Sequence, residues 1–169
     1  MIAQDGTLKL IDYGLAKTYG TPEKMHSKNV TTRQYKAPEI LFGARHYGPA
    51  IDMWAVGCIL AELLIRDFLF PGRTDIDQLG KIFTIRGVPI VEDWPGVDQL
   101  PNYLEFTIKE IKPLNVILPF ATPQCLDLLD RLLQLNPDKR ITSEQALKHP
   151  YLSEELPRPC LNSELPLPK

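Results

Sequence analysis

The chain has 169 residues, a formal net charge of −2 and 24% charged residues, which is the composition of one globular domain or lobe. Because the charge is nearly balanced, no basic field favours direct contact with nucleic acid, and we expect none. The three cysteines are too far apart for a metal-ligand motif. The longest apolar run is too short to cross a bilayer and the first residues do not resemble a secretory leader, so we expect no membrane contact.

The first twelve residues predict a β-hairpin. Asp5-Gly6 is a two-residue turn signal, and apolar and polar residues alternate after it up to Asp12. Residues 15–36 keep neither a strand period nor a helix period. An irregular stretch of this length predicts a functional loop rather than a passive connector.

The central helix is predicted at Ile51 to Arg66, after a short helix at Pro38 to Phe42. Apolar residues occupy nearly every face of it, so we expect other elements to surround it on all sides. The polar exceptions are Asp52, Glu62 and the terminal Arg66, and Asp52 is the anomaly because it places a carboxylate in the first turn of a buried helix. The free N–H groups and the macrodipole stabilise such a charge, and an ordinary N-terminal role stays open beside a functional one.

Three later helices are predicted by a threonine cap. The expected ranges are 74–86, 122–136 and 142–149. Prolines should keep 87–121 irregular, and Pro150 should end the last helix. We therefore predict a mainly α (α+β) lobe over residues 1–152 and a Pro-rich extended tail over residues 153–169.

Several motifs stand in an order that resembles the C-terminal lobe of a eukaryotic protein kinase. Asp-Tyr-Gly at 12–14 corresponds to the metal-binding Asp-Phe-Gly, and Ala-Pro-Glu at 37–39 ends an activation segment over 12–39. The helix from Asp52 and Arg140 in NPDKRIT complete the set. YKAPEILFGARHYG and DMWAVGCILAELLIR resemble the cyclin-dependent group, and LFGAR with LPRP look most like its kinase-activating branch in general transcription factor TFIIH. A mitogen-activated kinase is disfavoured, because no Thr-x-Tyr pair occurs in 24–32.

The resemblance implies a cofactor site and a phosphorylation site. Asp12 would hold Mg²⁺ bridging the phosphates of ATP, since this hard cation prefers carboxylate oxygen. Ser27 falls at the activating phosphorylation position, and Thr21, followed by proline, is a second candidate. A phosphate there would order the loop through basic side chains, of which Lys17 is one.

The resemblance also implies a P+1 loop, which selects the substrate residue after the phosphoacceptor. In this loop a backbone carbonyl without a donor favours proline, which brings no N–H to leave unpaired. Thr32 would also orient the catalytic aspartate. Three positions depart from the family: Tyr13 replaces Phe, Gln34 replaces Trp, and Lys36 replaces Arg and lacks its fixed fork. The P+1 residues are Val30, Thr31, Thr32, Arg33 and Lys36.

Two structural contacts follow from the same resemblance. Glu39 and Arg140 would form a buried ion pair, and the buried Asp52 would accept backbone N–H groups of the catalytic loop. No Gly-rich loop, strand lysine or His-Arg-Asp-x-x-x-x-Asn motif occurs in the sequence, so the catalytic Asp would lie upstream of Met1. We expect the chain alone to be inactive, and to expose an apolar patch because the covering helix is also upstream.

The function implied is transfer of the ATP γ-phosphate to cyclin-dependent kinases and to the RNA polymerase II C-terminal domain. The implied partners are a cyclin and an assembly subunit, and the implied location is the nucleus. Two alternatives stay open: a catalytically dead lobe that acts as a binding module, and another proline-directed cyclin-dependent kinase. A purely structural helical protein would leave the spacing of the motifs unexplained.

Overall fold

The computed structural model describes residues 1–3, 5–16 and 32–153, which form a mainly helical lobe and confirm the expected fold class. Single turns of 3-10 helix occur at Tyr13–Leu15, Arg33–Tyr35, Val97–Gln99 and Pro137–Lys139. In the described ranges, no helix has the length and apolar character that crossing a membrane requires. The α-helices are α1 (Pro38–Leu41), α2 (Ala50–Ile65), α3 (Asp75–Arg86), α4 (Leu114–Ile117), α5 (Pro123–Leu132), α6 (Ser143–Leu147) and α7 (Pro150–Ser153).

Within the described residues, the predicted hairpin is present as one antiparallel bridge, between Ile2 and Leu8. Gly6 turns the chain with φ of 80°, and the ammonium group of Met1 donates to the carbonyl of Lys9 at 2.8 Å. Leu8 and Leu10 are both exposed. A two-stranded ribbon that buries neither face is only marginally stable, which explains why the pairing does not extend.

The threonine caps begin the later helices where the sequence predicts them. Thr74 and Thr122 accept the amides of Asp77 and Cys125 at 3.1 and 3.2 Å, and a reciprocal capping box opens α6 at Thr142. The other ends of two helices differ from the prediction. Helix α5 stops at Leu132 instead of 136, and Pro150 starts α7 instead of only ending α6. Proline suits a first helical turn, because the N–H that it lacks has no partner there.

Helix α2 is packed against the core along one face. Trp54 is fully buried and stacks on Phe70 with ring centroids 5.6 Å apart. Gly57 lies against Leu132 and Leu133 at the end of α5, and a Cβ built on it would lie 2.9 Å from Leu133 Cδ2. The missing side chain therefore allows the close approach of α2 and α5. Burial raises the pKa of the Cys58 thiol on the same face.

The opposite face of α2 is exposed, so the expectation that other elements surround this helix was wrong. Val56, Ile59 and Leu63 point to solvent, and 73% of Leu63 is accessible. Asp52 is also exposed, not buried as expected. Both findings agree with the expected apolar patch, since nothing in the described part of the chain covers this face.

Candidate functional site

Asp12 occupies an unusual backbone conformation at the end of the hairpin. Its φ and ψ are 62° and 73°, in the left-handed region that non-glycine residues seldom adopt. Its exposed carboxylate accepts one hydrogen bond, from the amide of Gly14 at 3.3 Å. The remaining lone pairs of this carboxylate face solvent. Tyr13 is exposed rather than held in an apolar slot, and its hydroxyl donates to the carbonyl of Leu10 at 3.3 Å.

The carboxylate of Asp12 fits one position in the coordination shell of Mg²⁺, a cation that takes few protein ligands beside phosphate and water. No group of three or more possible metal-ligating side chains occurs in the parts of the chain that the structure describes. Among the described residues, Asp12 therefore contributes one exposed carboxylate that does not belong to a cluster of possible metal ligands.

Part of the predicted site lies outside the described residues. This applies to the basic residue Lys17, to both candidate phosphorylation sites and to the first half of the P+1 loop: Thr21, Ser27, Val30 and Thr31. The second half of the loop is described.

Arg33 and Lys36 both reach the start of α3. The Nε atom of Arg33 donates to Asp75 Oδ1 at 3.0 Å, and its Nη1 atom donates to the carbonyl of Arg73 at 2.9 Å. Lys36 Nζ lies 3.9 Å from the other carboxylate oxygen of Asp75. Thr32 precedes them, is exposed and makes no side-chain cap.

Two neighbouring residues of this segment are held by polar side chains. The hydroxyl of Tyr35 donates to Glu62 Oε2 at 2.6 Å, and its ring meets Phe68 edge-on. The hydrogen bond to Glu62, helped by burial and by the negative charge, raises the pKa of Tyr35 to about 12. The carbonyl of Gln34 accepts a hydrogen bond from Gln78 Nε2 at 3.3 Å.

Glu39 and Arg140 form a bidentate ion pair in the core. Arg140 Nη1 and Nη2 donate to Glu39 Oε1 and Oε2, both at 2.6 Å, and the Arg140 side chain is fully inaccessible. The guanidinium also lies 5.1 Å from the ring centroid of Trp54. Its remaining N–H groups donate to the carbonyls of Gln134, Leu135 and Ala50. Every N–H donor of the Arg140 guanidinium therefore has a hydrogen-bond acceptor.

Asp52 makes no side-chain hydrogen bond to any described residue. Its position in the first turn of α2 agrees with the ordinary interaction of a carboxylate with a helix N-terminus. The backbone donors expected for it belong, by resemblance, to the catalytic loop, which the sequence does not contain.

Comparisons with known proteins show the family of this chain. The sequence profile of the protein kinase domain matches residues 1–152. The chain belongs to the protein kinase domain family. The expected similarity to cyclin-dependent kinases is also confirmed: cyclin-dependent kinase D-1 of Oryza sativa and cyclin-dependent kinase 7 of Xenopus laevis are each 46% identical over 168 residues, or 99% of this chain.

A solved structure shares the fold. The structure of the CAK complex from Chaetomium thermophilum bound to ATP-gamma-S matches 97% of this chain with a TM-score of 0.88 and 41% identity. The chain spans only 39% of the rice kinase, 47% of the frog kinase and 52% of the chain in the solved structure. It therefore corresponds to about half of such a protein.

The sequence did not predict that Asp75, Gln78 and Glu62 would contact residues 33–36. Asp75 and Gln78 lie in a capped helix, and the local pattern of this helix gives no sign of a contact with a distant part of the chain. Only the fold brings them to residues 33–36, more than forty positions earlier.

Proposed function

We propose that this chain is the larger-lobe part of a Ser/Thr protein kinase that transfers the γ-phosphate of ATP to cyclin-dependent kinases and to the RNA polymerase II C-terminal domain. The observation that carries the proposal is the buried Glu39–Arg140 pair, which fixes the end of the segment that starts at Asp12. The similarity to a complex that binds an ATP analogue supports the use of ATP. A cyclin, an assembly subunit and a nuclear location are part of the same proposal, by analogy with the named relatives.

In this proposal Asp12 holds Mg²⁺ through its free carboxylate oxygen. When bound, the cation neutralises the charge of the nucleotide phosphates. The left-handed backbone of Asp12 is compatible with this role, because such conformations are costly and concentrate at functional sites. Phosphate on Ser27 or Thr21 would order the loop between Asp12 and the P+1 residues.

The P+1 loop selects the substrate. Val30, Thr31, Thr32, Arg33 and Lys36 would present a backbone carbonyl without a donor, so that a substrate residue with a free N–H would bury it unpaired. Proline avoids this cost and is preferred. Lys36 has its ammonium near Asp75, and its side chain is only 13% accessible. The Lys36 charge is therefore partly neutralised within the protein, and would contribute little to binding an acidic substrate residue.

The apolar face of α2 would also serve a second function, a binding module without catalysis, although the kinase interpretation expects an upstream helix to cover the same face. Val56, Ile59 and Leu63 form an exposed surface that a monomeric enzyme would not normally leave uncovered. We expect this chain alone to lack kinase activity, because its sequence contains no aspartate in a His-Arg-Asp-x-x-x-x-Asn loop to orient the substrate hydroxyl.

The two functions are separated by extending the reading frame upstream of Met1 and assaying the protein. An enzyme requires an in-frame catalytic loop, and the extended protein should phosphorylate Ser-Pro peptides of the polymerase repeat. Asp12→Asn should lower this rate by on the order of a hundredfold or more, since it removes a metal ligand at the transferring group. Asp98→Asn, at an exposed carboxylate of the same lobe, is the matched control. A stop codon upstream, or an extended wild-type protein without activity, would favour the binding module. Full activity of the Asp12→Asn protein would instead refute the metal-binding role of Asp12.

A further inference from the structure

Residues 32–36 are attached to the start of α3 by several polar contacts. Asp75 contacts both cations of this segment, Arg33 at 3.0 Å and Lys36 at 3.9 Å. Among the described residues it is the one carboxylate within salt-bridge distance of either. Arg33 also donates to the carbonyl of Arg73, two residues before Asp75. The first turn of α3 therefore holds the two ends of the segment at once.

The middle of the segment is held by a buried amide. Gln78 is fully inaccessible, and its Nε2 atom donates to the carbonyl of Gln34 while its Oε1 atom accepts the amide of Gly72 at 2.9 Å. A Cβ on Gly72 would lie 2.4 Å from Gln78. Glycine is therefore required at this contact, and the loop before α3, the helix and segment 32–36 are joined through one side chain.

The support for Asp75 is rigid. It is the first residue of α3, and Thr74 caps the helix by accepting the amide of Asp77. The carboxylate is thus fixed to a capped helix of 12 residues, whereas Arg33 and Lys36 lie in or beside a single 3-10 turn. Because α3 is a regular helix and segment 32–36 is short and irregular, we take α3 to determine the position of the segment.

We propose that Asp75 is a positioning residue for substrate selection: through Arg33 and Lys36 it fixes the backbone of residues 32–36, the part of the P+1 loop that the structure describes, and so supports the preference for proline after the phosphoacceptor. Asp75 is not catalytic, since it acts only through these two residues. The effect on substrate selection rests on the proposed kinase function, whereas the contact of Asp75 with Arg33 and Lys36 does not. An error in backbone position is costly here, because the selecting group is a single carbonyl and small displacements change rates strongly.

The contact of Asp75 with residues 32–36 can be tested on this chain alone, because the measurement does not require kinase activity. Hydrogen exchange is measured for peptides that cover residues 32–37 in the wild type, in Asp75→Asn and in Asp75→Glu. Asp75→Asn should speed exchange there by about three- to tenfold, because it removes a charge-assisted hydrogen bond and an ion pair. Asp75→Glu keeps the charge and should stay near the wild type.

Asp130→Asn is the matched control. Its side chain is 54% accessible against 51% for Asp75, and it pairs with Arg86 at 2.7 Å, away from the P+1 loop. It should leave exchange at residues 32–37 unchanged. If Asp75→Asn also leaves exchange there unchanged, the positioning role is refuted.

The consequence is tested in the upstream-extended kinase with peptides that differ only by proline or alanine after the serine. Asp75→Asn should raise KM for the proline peptide and reduce the proline-to-alanine preference by about three- to tenfold, with kcat little changed. The charge-swapped Arg33→Asp, Asp75→Arg protein should recover part of the preference. An unchanged preference in Asp75→Asn overturns the proposal, whereas a wild-type protein without activity refutes the kinase function and leaves the exchange result valid.

Discussion

Glu39 and Arg140, 101 positions apart, meet in a bidentate pair with both oxygen–nitrogen distances at 2.6 Å. The pair joins helix α1 to the 3-10 turn after α5, beside the ring of Trp54. Because both charges are buried, each depends on the other for compensation.

Arg140→Met and Glu39→Gln should each destabilise the lobe by about 3–5 kcal/mol. Each substitution removes one charge of the buried pair and leaves the other charge without its partner. The urea midpoint, followed by circular dichroism, measures this. Lys148→Ala, which removes an ion pair of two exposed side chains in α6, should cost at most about 0.5 kcal/mol. Equal effects of the buried and exposed variants would show that burial of the pair is unimportant.

Two glycines in helices should respond to alanine in opposite directions. Gly57→Ala should destabilise by about 1–3 kcal/mol, since the new Cβ would lie 2.9 Å from Leu133 and force α2 from α5. Gly80→Ala should stabilise by up to about 1 kcal/mol, because nothing lies within 4 Å of its Cβ and alanine favours α3. Thermal melts of both proteins decide the point. A stabilising Gly57→Ala would mean that α2 and α5 are not tightly packed.

The exposed face of α2 should bind a hydrophobic dye in the isolated chain. Leu63→Lys should reduce dye fluorescence with a change in unfolding free energy within about 0.5 kcal/mol, because 73% of the side chain is already exposed. Ile76→Lys, at an exposed position of α3, should leave dye binding nearly unchanged. A wild-type chain that binds no dye would contradict the presence of an apolar patch.

The Tyr35–Glu62 hydrogen bond predicts a pH effect on stability. The pKa of Tyr35 is raised from 10.0 to about 12, so the folded state favours the neutral phenol. Its contribution to stability is fully present below about pH 10 and is lost as the pH rises towards 12. Unfolding midpoints measured across this range should fall more steeply for the wild type than for Tyr35→Phe. Tyr13→Phe, which changes an exposed tyrosine, should follow the wild type.

A spectroscopic titration gives an independent check of the same contact. Glu62→Gln should lower the pKa of Tyr35 towards 10, because it removes the carboxylate that accepts the hydrogen bond of the phenol and whose charge opposes ionisation. If the phenolate absorbance of the wild type shows no tyrosine with a pKa near 12, the hydrogen bond does not persist in solution.

Local signals predicted the helix starts and missed some ends. A threonine cap depends only on residues within one helical turn, because the threonine hydroxyl accepts the amide three residues later. Thr74, Thr122 and Thr142 could therefore be predicted as caps from the sequence. Pro150 was predicted only to end a helix, whereas it begins α7. Proline is excluded from a helix interior but favoured in a first turn, so both roles are possible. The choice between the two depends on tertiary packing, here the packing of α7 against α5 and α6.

Long-range contacts could be predicted only through resemblance. Nothing near Glu39 in the sequence indicates Arg140, and no local pattern indicates that Gln78 will bridge Gln34 and Gly72. The burial of Asp52 was predicted wrongly for the same reason, since its expected donors belong to a segment outside this sequence. Periodicity reports whether a face is apolar and not which partner covers it.

The distance along the chain between Glu39 and Arg140 also sets an order of events during synthesis. A ribosome must translate nearly the whole lobe and release residue 140 from its exit tunnel before the guanidinium can reach the carboxylate. Until then Glu39 has no buried cation to pair with, and closure of so large a loop is entropically costly. The anchoring of helix α1 by Arg140 is therefore a late step in the synthesis of this lobe, although Glu39 is made early.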